Sequence, residues 1–306
     1  MGENPNTGHT FEFPTDAEIV LAWFYDNAPE PRVEFQAIDV GFYPGGEPLV
    51  KAERSWEWNY PPTSPTAMLL RPKSLATFTT AMYLVDALKE RHGTVPWLQL
   101  PYLPGARQDR LNEGGDYLFT AKSIARDLNW RNFPGVGVTD PHSDVMPALV
   151  DRCQPKHIPA LLIDGYRQLL LEERYTAVIA PDAGAAKRAG RVAGILGIPV
   201  LQAWKTRDVT TGKISGFGIE QYERNGKYLL VDDICDGGGT FNGLADYMLQ
   251  VSPVQLDLFV THGIFSQGVG ELFKNFRRIF TTDSIVNQPD AVDVIPFNQR
   301  FLEKNL

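Results

Sequence analysis

The chain has 306 residues, 43% of them hydrophobic and 22% charged, which is enough for two compact α/β domains with their own cores. A net charge of −8 and a pI near 5.2 exclude a general nucleic-acid binder, so any affinity for phosphates must come from local basic residues and metal. With only Cys153 and Cys235 there is no disulfide framework and no cysteine-built zinc site, and no apolar run is long enough to span a bilayer.

In chain order, residues 1–9 read as a loose polar tail, and MGENPNTGHT lacks the charged and apolar regions of a signal peptide, so a cytoplasmic location is expected. An N-terminal domain is expected over 10–158. Arg32 to Ala52 alternates as strands would around a Pro-Gly-Gly turn, with Tyr43 before the turn and Glu47 after it. Trp56, Trp58 and Tyr60 crowd the next stretch, an arrangement more usual for an interface or a loop anchor than for a base-stacking platform. Leu75, Phe78, Met82, Val85 and Leu88 mark one face of a helix from Ser74 to His92, with Ser74 as N-cap and Gly93 as stop. A strand, Pro96 to Leu100, then delivers the chain to Arg107, Gln108, Asp109 and Arg110. Two arginines and a glutamine beyond a strand suit polyphosphate oxygens and the edge of a base, although a solvated charged loop has the same composition. A helix over Tyr117 to Leu128 and a strand over Gly135 to Thr139 lead to His142, whose neutral imidazole suits a divalent ion or a phosphate-borne proton.

Pro155, Pro159 and Gly165 break the pattern and predict a boundary, with a second domain over 159–306 whose last residues are able to pack on the first. The strand Tyr175 to Ala180 exits at Asp182, after which Lys187 and Arg188 open a helix. Ile198 to Gln202 predicts a strand ending at Trp204, Lys205, Thr206 and Arg207. Asp208 to Gly218 has no apolar period and reads as a mobile lid with two cations at its base. Tyr228 to Val231 is apolar on both faces, as a central parallel strand would be, and it stops at Asp232 and Asp233. Asp236, Gly237, Gly238, Gly239 and Thr240 turn the chain into a helix marked by Phe241, Leu244, Ala245 and Met248. Such glycines let backbone N–H groups curl round an anion, and the paired acids suit ribose hydroxyls or a divalent ion. No GKS or GKT follows, and the glycines are contiguous, so neither a P-loop nor a dinucleotide fingerprint is present. Strands over Gln255 to Gly263 and Arg278 to Thr282 complete the alternation.

The order of strand, acids, glycines and helix resembles the phosphoribosyl pyrophosphate (PRPP) loop of type I phosphoribosyltransferases. Five pieces together resemble a narrower family, the ribose-phosphate diphosphokinases or PRPP synthetases: GARQDR at 105–110, DPH at 140–142, PDAGAAKR at 181–188, Lys205 with Arg207, and VDDICDGGGT at 231–240. The resemblance implies an α/β fold of two similar phosphoribosyltransferase-like domains, each a mainly parallel sheet flanked by helices. It implies transfer of the diphosphoryl group of ATP to the anomeric hydroxyl of ribose 5-phosphate, with release of AMP. Arg107, Gln108, Asp109 and Arg110 would then meet ATP, and Tyr43 and Glu47 would complete the ATP site of a neighbouring subunit in a homo-oligomer, a dimer or a hexamer-of-dimers type of assembly. His142, Asp182, Asp232 and Asp233 would hold Mg2+, and Lys205 and Arg207 would be the catalytic cations. Asp232 and Asp233 would also bind the ribose, with Asp236 to Thr240 around its phosphate.

Two departures bear on the acceptor. Gly45 stands where the family's hairpin has an aspartate, and Gly237 where its phosphate loop usually has a hydroxyl residue. A missing donor and extra space suit a phosphodiester, so ADP-ribose is a second candidate acceptor, which would place the chain in NAD metabolism. A phosphoribosyltransferase proper and a non-catalytic regulatory homologue are further readings. The last conflicts with the retention of Lys205, Arg207, His142, Asp182, Asp232 and Asp233.

Overall fold

The computed structural model describes residues 16–25, 32–51, 66–111, 118–157, 167–207 and 214–296. The chain divides into two compact units, one of residues 1–156, 284–287 and 297–306, the other of 157–283 and 288–296. The polar tail, the Trp56 to Tyr60 stretch, Tyr117 and the first part of the expected lid, 208–213, lie outside the described residues.

Unit one runs β1 (Ile19–Tyr25), β2 (Arg32–Phe42), β3 (Pro48–Lys51), β4 (Ala67–Leu70), α1 (Leu75–His92), β5 (Trp97–Gln99), α2 (Thr120–Arg131), β6 (Val136–Thr139), α3 (Val145–Leu149) and β7 (Cys153–Lys156). Its seven-stranded sheet has the order β3-β2-β1-β4-β5-β6-β7. Pairing is antiparallel from β3 through β4 and parallel from β4 to β7. The ends of α1 follow from local chemistry. The Ser74 hydroxyl accepts the Thr77 N–H at 3.1 Å, and Gly93, left-handed at φ 72°, returns its N–H to Lys89. Phe78, Met82, Val85 and Leu88 then bury against Met68, Leu70 and Leu98 of the sheet. Helix α2 passes its expected end at Leu128 and stops at Arg131, because Asn132 takes the left-handed conformation at φ 57°. The Arg131 guanidinium fastens that turn to Asp86, Asp127 and the Met82 carbonyl.

Unit two runs α4 (Arg167–Glu172), β8 (Ala177–Ala180), a 3-10 turn (Ala183–Ala185), α5 (Ala186–Leu196), β9 (Val200–Arg207), β10 (Ile214–Ile219), β11 (Lys227–Cys235), α6 (Gly239–Val251), β12 (Gln255–Gly263), a second 3-10 turn (Leu272–Lys274), β13 (Ile279–Thr282) and β14 (Asp293–Ile295). Its seven strands take the order β10-β9-β8-β11-β12-β13-β14, parallel throughout except for β10 against β9. Alternate residues of β11 serve the two faces, Leu229 and Val231 in one core cluster, Tyr228 and Leu230 in the other. That is why the strand reads as a continuous apolar run. Chain order runs outward in opposite senses from the β8–β11 pair, so the crevice at their carboxyl ends is a switch point of the sheet.

Two expectations are corrected here. The lid expected over 208–218 is a strand from Ile214 onward, and Lys205 and Arg207 sit within β9 rather than in a loop. Sequence ISGFGI has no apolar period because β10 is an edge strand, held by its pairing with β9. Likewise Asp232 and Asp233 do not follow the strand but belong to it. The pairing with β12 continues through Ile234–His262 and Cys235–Gly263.

At the amino-terminal edge of this sheet lies a charged cluster. Glu173 meets Lys227, Arg277 and Arg278, buried Asp257 accepts the Tyr175 hydroxyl and Arg277 at 2.6 Å each, and Arg278 pairs with Asp293 at 2.8 Å. Burial alone would raise the Glu173 pKa, but the hydrogen bonds from Lys227 and Arg278 outweigh it and hold the carboxyl at about 2. No helix among the described residues is long and apolar enough to cross a membrane.

Candidate functional site

In unit two the expected residues gather around the carboxyl ends of β8, β9 and β11. Asp182 follows β8 and caps the 3-10 turn, its Oδ1 accepting the N–H groups of Gly184 at 3.0 Å and Ala185 at 3.3 Å. Its Oδ2 lies 2.8 Å from Lys205 Nζ on β9. Burial works to raise the Asp182 pKa, but the hydrogen bond and charge of Lys205 prevail and lower it. Asp232 and Asp233 are adjacent on β11, and the Asp232 Oδ1 accepts the Asp233 N–H at 2.8 Å. Arg188 reaches both acids, its Nη1 at 3.4 Å from Asp232 Oδ1 and 3.7 Å from Asp233 Oδ1. Burial and the neighbouring Asp233 carry the Asp232 pKa well above the usual carboxylate range, with Arg188 pulling the other way.

Beyond the acids, Cys235 ends β11 and its carbonyl accepts the N–H groups of Ile264 and Phe265 at 2.9 and 3.1 Å, tying the loop to the turn after β12. Burial pushes the Cys235 thiol up to about 12, so it stays protonated. The loop then passes half-buried Asp236 and enters α6 at Gly239 and Thr240. Gly238 is left-handed at φ 75°, and a Cβ there would stand 3.0 Å from Leu272 Cδ2, so only glycine fits. At Gly237 an added Cβ would meet only Gln267 Cγ, at 3.7 Å, and at Gly239 it would meet nothing within 4 Å. The result is an open turn at the start of a 13-residue helix, the arrangement that receives an anion through backbone N–H groups and the helix dipole.

In unit one the Arg107 to Arg110 loop follows Gly105, left-handed at φ 75° and packed so closely on α2 that a Cβ would fall 2.6 Å from Ile124. The Gln108 carbonyl accepts the Ala121 N–H at 3.1 Å, and its side-chain oxygen accepts the Thr120 hydroxyl, which seats the loop on the start of α2. Arg107, Gln108 and Arg110 are exposed, whereas Asp109 is buried and accepts Arg110 Nε at 2.7 Å. The hydrogen bond from Arg110 lowers the Asp109 pKa against the effect of burial, helped by a hydrogen bond from Ser143 and the charge of His142. Asp109 therefore links the arginine loop to the His142 loop after β6, with His142 itself exposed. In the β2–β3 hairpin the Tyr43 N–H bonds the Glu47 carbonyl at 2.9 Å, and both side chains are exposed.

The sequence expected Asp182, Lys205, Asp232 and Asp233 as separate strand-end groups, and the structure brings the first two into contact. It missed Arg188, because an arginine opening a helix reads as a solvated residue. The only available signal was its place in PDAGAAKR, a segment otherwise made of small residues and a strand-end acid. Among the described residues no three His, Cys, Asp or Glu side chains converge as a ready metal centre. The donor chemistry still fits magnesium, since carboxylate oxygens at Asp182, Asp232 and Asp233 are the hard ligands that ion takes.

Two phosphoribosyltransferase-like α/β units, the second with paired acids running into a glycine turn at the sheet's switch point, define the class. A family model for the phosphoribosyl transferase domain matches residues 156–293. The ribose-phosphate pyrophosphokinase of Pyrococcus abyssi is 27% identical over 226 residues, covering 73% of this chain and 77% of that one. That of Mycoplasma genitalium is 30% identical over 193 residues, 62% of this chain and 56% of that one. The fold matches the crystal structure of phosphoribosylpyrophosphate synthetase from Mycobacterium smegmatis with a TM-score of 0.66 at 20% identity, over 84% of this chain and 85% of that one. The chain is thus similar in sequence to ribose-phosphate pyrophosphokinases, carries a phosphoribosyl transferase domain over 156–293, and shares the fold of a phosphoribosylpyrophosphate synthetase.

Proposed function

We propose that the protein transfers the diphosphoryl group of ATP to the anomeric hydroxyl of ribose 5-phosphate. The bond between the anomeric oxygen and the β-phosphorus forms, the bridge between α- and β-phosphorus breaks with its oxygen leaving on AMP, and the hydroxyl proton is released. One observation carries this reading: Asp182, Lys205, Arg188 and the Asp232–Asp233 pair converge at neighbouring strand ends beside an open glycine turn. The names of the similar pyrophosphokinases support it.

In this reading Asp232 and Asp233 take the ribose hydroxyls, and the N–H groups of Gly237 to Thr240 take the terminal phosphate, with Asp236 orienting the turn. Lys205 and Arg207 stabilise charge on the group in flight, since transfer of this kind is catalysed by positioning and neutralisation rather than by a nucleophilic side chain. Arg107, Gln108 and Arg110 bind ATP, and Asp109 holds their loop in place. Tyr43 and Glu47 complete the ATP site of a second copy in a homo-oligomer. Asp182, Asp232 and Asp233 are the residues that would hold magnesium in unit two, and His142 is the one that would do so in unit one. When bound, that ion offsets the charge of the phosphate oxygens.

A second reading, the same chemistry on ADP-ribose, is favoured by the space at Gly237, where only Gln267 Cγ lies within 4 Å of an added Cβ. The deciding experiment offers ATP and magnesium to the purified protein with ribose 5-phosphate or ADP-ribose in separate reactions, with AMP measured and products identified by mass. AMP with ribose 5-phosphate supports the first reading and AMP only with ADP-ribose the second. No AMP with either removes both.

A further inference from the structure

We propose that Arg188 is a positioning residue for the sugar acceptor, a clamp that sets the Asp232 and Asp233 carboxylates as one recognition unit. The proposal rests on the functional reading above. Arg188 lies in the first turn of α5, where the helix dipole disfavours a cation, and its side chain is only 8% exposed. A guanidinium is buried at such a place only when acids compensate it. Asp232 and Asp233 both do so, and their geometry explains what one arginine can hold together. Consecutive residues of a strand direct their side chains to opposite faces, and two neighbouring carboxylates repel. From α5, Arg188 Nη1 reaches Oδ1 of both, at 3.4 and 3.7 Å, holding otherwise divergent acids to a common centre. The Asp233 N–H fixes the same Asp232 oxygen at 2.8 Å, so one oxygen of that carboxylate is committed to the scaffold. Lys205 pairs instead with Asp182, at 2.8 Å.

The distinguishing readout is the split between the two substrates. In the full-length protein, Arg188→Gln is expected to raise KM for the acceptor by about tenfold or more, while KM for ATP stays within about twofold. Arg188→Lys restores the charge but not the planar fork, so its acceptor KM is expected to fall between those of wild type and Arg188→Gln. If the glutamine variant does not fold, the lysine variant carries the test through the same split. Equal rises in both KM values, or no change in acceptor KM, would overturn the clamp. A wild-type protein that releases no AMP with either acceptor would overturn the functional reading, and the clamp with it. Wild-type turnover with unaltered Arg188 variants would overturn the clamp alone.

Discussion

Lys205 Nζ and Asp182 Oδ2 stand 2.8 Å apart, so the cation assigned to the transferring group and an acid assigned to the metal are each other's partner. Lys205→Ala is expected to lower kcat by about 10²–10³-fold with little change in KM for ATP, because a cation that acts on developing charge works in the transition state. Steady-state AMP release over a range of ATP concentrations checks this, and a matching rise in KM would assign Lys205 to ground-state binding. Asp182→Asn, in contrast, is expected to raise the magnesium concentration needed for half-maximal activity.

Gly238 and Gly239 are neighbours with opposite constraints. Gly238→Ala forces a side chain into a left-handed backbone, 3.0 Å from Leu272 Cδ2, and is expected to cost about 1–3 kcal/mol of stability. Gly239→Ala enters open space and is expected to change the melting temperature little. Thermal melting of the two variants side by side tests the contrast; equal losses would mean that the turn is held by something other than its backbone.

Much of this arrangement was legible in the sequence for a physical reason. Ser74 and Gly93 bracket α1 because caps act locally, and the apolar run before Asp232 marks a buried parallel strand because both faces must be covered. Where partners are distant in sequence, legibility fails. Strand β10 exists through its pairing with β9, and the acids remain within β11 because β12 continues alongside them. Arg188 acquires its role from residues 44 and 45 positions away, which no local pattern encodes.

At Gly237 the prediction concerns preference between acceptors. Gly237→Ser adds a hydroxyl with only Gln267 Cγ near, at 3.7 Å, so the fold is expected to tolerate it. The added donor favours a dianionic terminal phosphate over a diester, and kcat/KM for ribose 5-phosphate relative to ADP-ribose is expected to rise several-fold. An unchanged ratio would show that the glycine is neutral to acceptor choice, and a fall that it favours the monoester.

Glu173 makes a prediction about acid stability. Its folded pKa of about 2 lies below the ordinary 4.5, so its contribution is fully present above about pH 4.5 and is lost as the pH falls towards 2. That gap corresponds to roughly 3 kcal/mol. Glu173→Gln is expected to melt well below wild type at pH 7, and the difference is expected to shrink steadily below pH 4.5. Melting curves of both proteins from pH 7 to 3 would show it, and a difference independent of pH would assign the loss to packing instead.

The β9–β10 hairpin has a mechanical consequence. Strand β8 pairs with β9 only as far as Gln202, so among the described residues the backbone that carries Lys205 has β10 as its strand partner beyond that point. The two strands brace each other, and β10 is in turn held by Phe217 and Ile219, which pack against the core cluster under α6, with Phe217 lying directly over Gly243. Lys205 is therefore carried on a braced two-strand ribbon rather than on a free loop, so fewer torsions have to be fixed to hold its Nζ 2.8 Å from Asp182.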